Sequence, residues 1–187
     1  MKHMRMIETK DETFQIGDVL QFTMKDGEEA EAMAVKQEPD GTVFCFVDCL
    51  SYESNMTNGG AYHYEKSIVR GLLNGTVLDS FPDDLRKDMI PFANGDYLRI
   101  PTEKEIFGKN EYGEGEPDEV RQFEPMKLNR NRIAMMGHNG YCAWYWLQNR
   151  SVYSATRAAL VNGDGGATRW NASGVLAVRP LFKIKNP

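Results

Sequence analysis

The sequence is short of most features that would announce a specialised protein. It has three cysteines, Cys45, Cys49 and Cys142, an odd number that cannot pair completely. No run of 18 apolar residues occurs, which excludes a membrane-spanning helix. The opening stretch, MKHMRMIETKDE, lacks the apolar core of a secretory signal. The expectation is therefore reduced thiols, no membrane insertion, and a cytoplasmic or virion-associated location. A nucleophile elbow, a Walker loop and a dinucleotide fingerprint are all missing, so nothing compels an enzyme. Acid is missing from one end of the chain. Residues 127–187 hold nine Lys or Arg but a single acid, Asp164, whereas residues 1–126 hold 26 acidic and 13 basic side chains. The net charge of −5 averages a chain polarised end to end, which points to an interaction surface.

What is present is the composition of an ordinary globular chain: 187 residues, 41% hydrophobic and 26% charged. Residues 1–12 are polar and read as a flexible tail, and residues 13–187 as one domain. Val19–Met24, residues 30–37 and Thr42–Asp48 alternate or run apolar between two Asp-Gly turns, which predicts an antiparallel meander within residues 13–50. A helical middle follows over residues 64–107. Ile68, Val69, Leu72 and Leu73 lie at helical spacing until Asn74-Gly75 interrupts, Asp83–Met89 could add a short helix, and Tyr97–Ile100 reads as a strand. Thr102 and Glu105 fit a capping box. Residues 108–119, GKNEYGEGEPDE, have no apolar anchor but Tyr112 and read as disordered.

Residues 127–187 change texture. Val152–Val161 and Ala167–Asn171 predict strands around a glycine-rich turn, and Val175–Ile184 a last strand. Pro180 inside that strand argues for an edge position or a bulge. Strands, then helices, then strands without βαβ repetition give an α+β class.

These residues admit three chemical readings. Cys45 and Cys49 are four apart, as are His138 and Cys142, so a mixed zinc site can be drawn. Structural zinc favours tighter pairs on loops, and Cys45 sits inside an apolar strand, so neither metal nor cofactor is expected. A Cys142–His138 catalytic pair would need a helix that Asn139-Gly140 breaks, so no enzyme is expected either. Lys127, Arg130, Arg132, Arg150, Arg157 and Arg169 accompany Tyr141, Trp144, Tyr145, Trp146 and Tyr153, a mixture that could hold phosphates and stack bases. Against it, strand alternation would bury Trp144 and Trp146 together and leave Tyr145 outside, and the overall acidity repels a polyanion. Nucleic acid is the minor alternative.

Tyr145-Trp146-Leu147 and Ala177-Val178-Arg179-Pro180 carry a resemblance. They are similar to the ending of a group of uncharacterised bacterial and phage domains, with a Y/W-W-L-R-S segment and then a G-V-R-P-like strand. Ser67–Gly75 and Tyr97–Glu105 resemble that group's helix and its strand followed by a short acidic helix. The terminal pattern also resembles the C-type lectin fold of diversity-generating retroelement variable proteins and, distantly, of formylglycine-generating enzymes. Gln148, Asn149 and Ala177 stand where the pattern has Arg, Ser and Gly. The resemblance implies that the last strand closes the domain and that the segment before it displays a ligand-binding surface. Adenine-directed diversification of Asn codons never yields Lys, Glu, Gln, Met or Trp. The first four types are absent from all 34 positions from Asn149 to Phe182, where about seven would be expected at the chain's composition.

The reading is a non-enzymatic ligand-binding domain of phage, prophage or bacterial origin, diversified by such a retroelement, for a protein or glycan ligand. Its expected contacts are Gln148, Asn149, Arg150, Tyr153, Arg157, Asn162, Asp164, Arg169 and Asn171, drawn from the residue types that make adaptable binding surfaces. Trp144 and Trp146 are expected in the core and Arg179 in a buried structural role. The alternative from another class is a phage structural or assembly protein.

Overall fold

A computed structural model describes residues 13–137 and 140–186. The two Asp-Gly turns produce the expected meander: β1 (Val19–Thr23), β2 (Glu29–Glu38) and β3 (Gly41–Phe46) pair antiparallel in sequence order. A bulge at Val35 shifts the register between Ala34 and Lys36; Ala34 is buried in one hydrophobic cluster and Val35 in the other. β10 (Leu181–Lys185) and β5 (Leu98–Arg99) complete a five-stranded sheet in the order β1-β2-β3-β10-β5. A second sheet has the order β4-β9-β6-β7-β8, from β4 (Glu53–Asn55), β6 (Tyr145–Ser151), β7 (Ser154–Val161), β8 (Ala167–Asn171) and β9 (Val175–Ala177). All strand pairs are antiparallel except the short contact of β6 with β9. With a few short helices this makes one α+β domain, as the strand and helix patterning predicts.

The central strands of each sheet are buried on both faces. Phe44, Phe46, Trp146, Ala158, Leu160 and Phe182 enter one hydrophobic cluster, while their neighbours Val43, Cys45, Tyr145, Leu147, Ala159 and Leu181 enter a second. The two-residue period of a strand deals successive side chains to the two clusters. This corrects the assignment of the WYW triplet. Trp146 is buried, but Tyr145 is buried too, in the other cluster, and Trp144 is 45% exposed. Trp144 precedes β6, outside the alternation that would have carried it inward with Trp146.

The last expected strand is two strands. β9 ends in the second sheet, and the chain crosses through Val178-Arg179-Pro180 to β10, which lies centrally in the first. Pro180 therefore marks the crossing and neither an edge nor a bulge; its carbonyl accepts from Phe46 N at 2.9 Å. Arg179 is 3% exposed and locks this crossing. It donates to Phe46 O and Val47 O at 2.8 Å, and to Asn131 O and the Tyr145 hydroxyl at 3.0 Å.

The helix also departs from expectation. α1 (Ile68–Leu72), capped by the Ser67 hydroxyl, continues through a π turn (Leu73–Val77) into α2 (Leu78–Ser80). Asn74 does not interrupt it, because its amide is used across the fold. Nδ2 donates to Leu98 O at 2.8 Å, and Oδ1 accepts from Tyr97 N and Leu98 N. α3 (Asp83–Arg86), α4 (Glu103–Phe107) and α5 (Asn129–Arg132) are single turns or little more. The Thr102–Glu105 capping box is present on α4. No helix among the described residues is long and apolar enough to cross a membrane. The expected tail over residues 1–12 lies outside the described residues.

Candidate functional site

The site starts at α4. Its first-turn carboxylate, Glu103, is fully buried and accepts from Tyr112 N at 3.0 Å and Gly113 N at 2.7 Å. Asn149 completes the anchor: Oδ1 accepts from Glu103 N at 2.7 Å, and Nδ2 donates to Glu114 O at 3.1 Å and to a Glu116 carboxylate oxygen at 2.9 Å. Only glycine fits at position 113, where a Cβ would lie 2.4 Å from Asn149 Cβ and 2.8 Å from the Glu103 carboxylate. The acid- and glycine-rich stretch 108–119 is therefore an ordered loop, contrary to its composition. A buried charge needs such donors, and the loop supplies them from its backbone.

The loop delivers Tyr112 to the surface of the second sheet. Tyr112 and Tyr153 lie 6.3 Å apart, and the Arg169 guanidinium sits 5.0 Å from the first ring and 4.3 Å from the second. Both distances are within cation–π range. Arg169 Nε is shielded from solvent and has no hydrogen-bond acceptor among the described residues, so the two rings hold this side chain. Further along the edge, Arg157 Nε donates to Asn171 Oδ1 at 3.3 Å. Arg157, Thr168, Arg169, Trp170 and Asn171 line a hollow of ≈ 290 Å³. A second hollow of ≈ 270 Å³, lined by Thr57, Gly59, Gly60, Thr156, Asn171 and Ser173, adjoins it at Asn171. The Trp170 indole is 53% exposed and lies on Gly174, where a Cβ would come within 2.8 Å of the ring.

The nine expected contacts thus separate. Tyr153, Arg157, Arg169 and Asn171 come together at this edge. Gln148 does not join them: it donates to Ile100 O at 2.6 Å, and its carbonyl accepts from the Tyr62 hydroxyl at 2.8 Å. Burial pushes the Tyr62 phenol well above its ordinary pKa, which keeps that hydroxyl a donor. Asn149 is the loop anchor just described, and Arg150 is paired with the Glu114 carboxylate. Asn162 and Asp164 sit in the β7–β8 turn at the far end, each accepting from Gly166 N, while Asp164 O accepts from the Asn129 amide. These five side chains have internal partners, because β6 is central and the turn packs against α5. Tyr112, Thr168, Trp170 and the 57–60 loop were missed. The signal for Trp170 was its strand partner: a large ring opposite a residue as small as Ala158 at the rim of a sheet.

A wider cleft, ≈ 1010 Å³, lies elsewhere, between β2 and the 124–135 segment. Met33, Val47, Leu128 and Ile133 line it, and most of its polar groups are engaged. Glu31 accepts from Gln21 at 2.6 Å, Asp48 from Met135 N at 2.9 Å, and Arg179 donates to the carbonyls and hydroxyl of the crossing. The basic residues of the C-terminal third are likewise dispersed, Arg132 donating to Gly165 O and Met126 O. Cys45 and Cys49 are buried, and that burial pushes both thiols up. Cys142 is exposed, 3.8 Å from the Met135 sulfur. His138, the other half of the pair considered above, lies outside the described residues. No group of three His, Cys, Asp or Glu is placed to hold a metal among the described residues.

The edge hollow thus presents guanidiniums, an indole, a hydroxyl and an amide. These groups bind and orient; they offer donors and ring faces to an anionic or aromatic-stacking ligand. No curated protein and no solved structure matches the chain. Residues 40–186, which include every residue of the edge site and all but the first two strands of the fold, match the family described as a domain of unknown function, DUF6273, and the chain belongs to that family.

Proposed function

We propose that this protein is a non-enzymatic ligand-binding domain of the C-type-lectin type, with Tyr153, Arg157, Arg169, Trp170 and Asn171 as its contact surface. The observation that carries the reading is a pair of edge arginines with no carboxylate partner among the described residues, beside a half-exposed indole in a hollow. Exposed ion pairs contribute little to stability, so two unpaired arginines cost the fold little and stay available to a ligand. Here the only acid after residue 126, Asp164, is held at the opposite end of β7 and β8. The lectin-type scaffold is supported by the closing role of the final strand, which enters the first sheet directly after Arg179-Pro180.

Retroelement diversification, in a phage, prophage or bacterial setting, is the finer part of the proposal. It applies to exposed positions only, since 14 of the 34 positions from Asn149 to Phe182 are buried, and buried strands exclude Lys and Glu for their own reasons. A near-identical template repeat and a reverse transcriptase near the gene would support it; their absence would remove it.

The test of binding is a glycan and protein array probed with the purified protein and with Tyr153→Ala/Arg157→Ala. Capture should disappear in the double variant while the melting temperature stays nearly unchanged. Undiminished capture, or a large fall in melting temperature, overturns the assignment. The wide cleft favours a second reading, a subunit of an assembly, because Leu128 and Ile16 stand exposed at it. Size-exclusion chromatography with light scattering separates the two: a stable ordered oligomer supports assembly, a monomer the first reading.

A further inference from the structure

β8 is the outermost strand of the second sheet, and among the described residues no strand pairs with its outer edge. The hydrogen bonds Ala172 N to Thr156 O and Asn162 N to Gly166 O bracket the β7–β8 ladder. With the unbroken register between them, they place Thr168 and Trp170 in the positions bonded to β7. The backbone N–H and C=O of Arg169 and Ala167 therefore point away from the sheet. Among the described residues no backbone or side-chain group bonds to the Arg169 N–H or C=O. The hollow is lined by four consecutive residues, Thr168 to Asn171. Successive strand residues face opposite sides, so a hollow touched by all four runs along the strand's edge.

The two faces of that edge differ. Arg157 stands opposite Asn171, and Arg169 lies two residues from Asn171, so both arginines share one face. Trp170 and Thr168 share the other. Neither arginine has a carboxylate partner among the described residues, as noted above. The same charges oppose edge-to-edge pairing of two copies of this chain, which would bring arginines together.

We infer that the open edge of β8 takes an extended acidic peptide as a sixth strand, its acidic side chains alternating with apolar or β-branched ones. Acids at every second position face Arg157 and Arg169; the intervening side chains pack on Trp170. The main chain bonds to the free amide and carbonyl of Arg169 and to the Ala167 amide. Strand addition of this kind draws affinity from the backbone and specificity from alternate side chains. This inference rests on the ligand-binding reading above and names the ligand's chemistry.

The experiment is fluorescence anisotropy of the whole protein with a labelled peptide of roughly eight residues alternating Glu with Val or Thr. Three further probes accompany it: the same composition in two blocks, the alternating peptide N-methylated at every second amide, and a sulfated oligosaccharide. The alternating peptide should bind and weaken with salt, and both the block and N-methylated peptides should bind about tenfold or more weakly. Arg157→Glu/Arg169→Glu should abolish binding. Ala167→Pro removes one outward amide and leaves every arginine in place, and it should weaken binding severalfold. Circular dichroism of both variants checks that they remain folded.

If the oligosaccharide binds and loses affinity with Arg157→Glu/Arg169→Glu, while the alternating peptide does not bind or is indifferent to Ala167→Pro, the edge site stands and strand addition is overturned. Equal binding of the alternating, block and N-methylated peptides also overturns strand addition. Failure of every probe to bind, or binding indifferent to the charge reversal, overturns both the inference and the site beneath it.

Discussion

Residues 148–150 and the outer edge at 157, 169 and 171 belong to the same sheet and use the same side-chain types, yet they do opposite things. Gln148, Asn149 and Arg150 lie on β6, in the middle of the sheet, and their polar atoms bond to Ile100, Glu103, Glu114 and Glu116. Arg157, Arg169 and Asn171 lie on β7 and β8, at the sheet's outer side, and among the described residues their side chains engage only each other and two tyrosine rings. Position in the sheet, and not residue type, separates structural polar groups from available ones. A central strand surrounds its side chains with backbone that must itself be satisfied, whereas an edge strand has neighbours on one side only.

The sharpest way to break this comparison is to treat two arginines alike. Arg179→Met should cost about 3–5 kcal/mol, because it strands three carbonyls and a buried hydroxyl at the crossing between sheets. Arg169→Met should cost well under about 1 kcal/mol, as expected for a partly exposed side chain held by ring faces. Chemical denaturation of both variants reads the difference; equal midpoints would show that the edge arginine is structural after all.

Asn149→Ala comes next. It leaves the Glu103 amide without its acceptor and the loop without two donor contacts, a loss of about 2 kcal/mol. Hydrogen exchange should quicken at the Tyr112 and Gly113 amides while β3 keeps its protection. Unchanged exchange at those two amides would mean that Glu103 alone orders the loop.

The smallest effect concerns a cation in the first sheet that, unlike Arg157, has its counter-charges. Lys183 is nearly buried, 2.8 Å from the Asp40 carboxylate and 3.3 Å from that of Glu38. Burial works to lower the pKa of Lys183, but hydrogen bonds and charge from Asp40 and Glu38 raise it overall. Burial works to raise that of Glu38, and Lys36 and Lys183 outweigh it and lower it. The carboxylate's contribution is thus present above its unfolded pKa and lost as the pH falls through the lowered folded one. The lysine's is present below its unfolded pKa and lost as the pH rises through the raised folded one. Lys183→Met should flatten the acid limb of a stability-against-pH curve, and Arg157→Met should leave that curve unchanged. Parallel shifts in the two variants would erase the distinction between paired and unpaired cations.

Much of this was legible in the chain. Asp-Gly turns and alternating apolar residues gave away the meander, Thr102 and Glu105 the cap of α4, and a lone acid after residue 126 the cationic edge. The misread elements share one cause. Asn74-Gly75 looks like a helix stop, and residues 108–119 look unstructured, because sequence reading sees only local partners. Asn74 bonds to β5, and Glu103 with Asn149 bonds to the loop, across separations that no local pattern encodes. The same blindness grouped Gln148 and Asn149 with Arg157 and Arg169.

The amino-acid sequence alone specified the N-terminal meander, the β7–β8 hairpin and the cap of α4, and the gathering of positive charge without counter-charge in the last third. These follow from local preference and from counting. Only the tertiary structure decided which of those charges remain free, because strand order places β6 inside the sheet and β8 at its rim. It also divided the last apolar run at Arg179-Pro180 between two sheets, since a guanidinium satisfied by carbonyls from distant segments can fix a crossing that apolar periodicity leaves invisible.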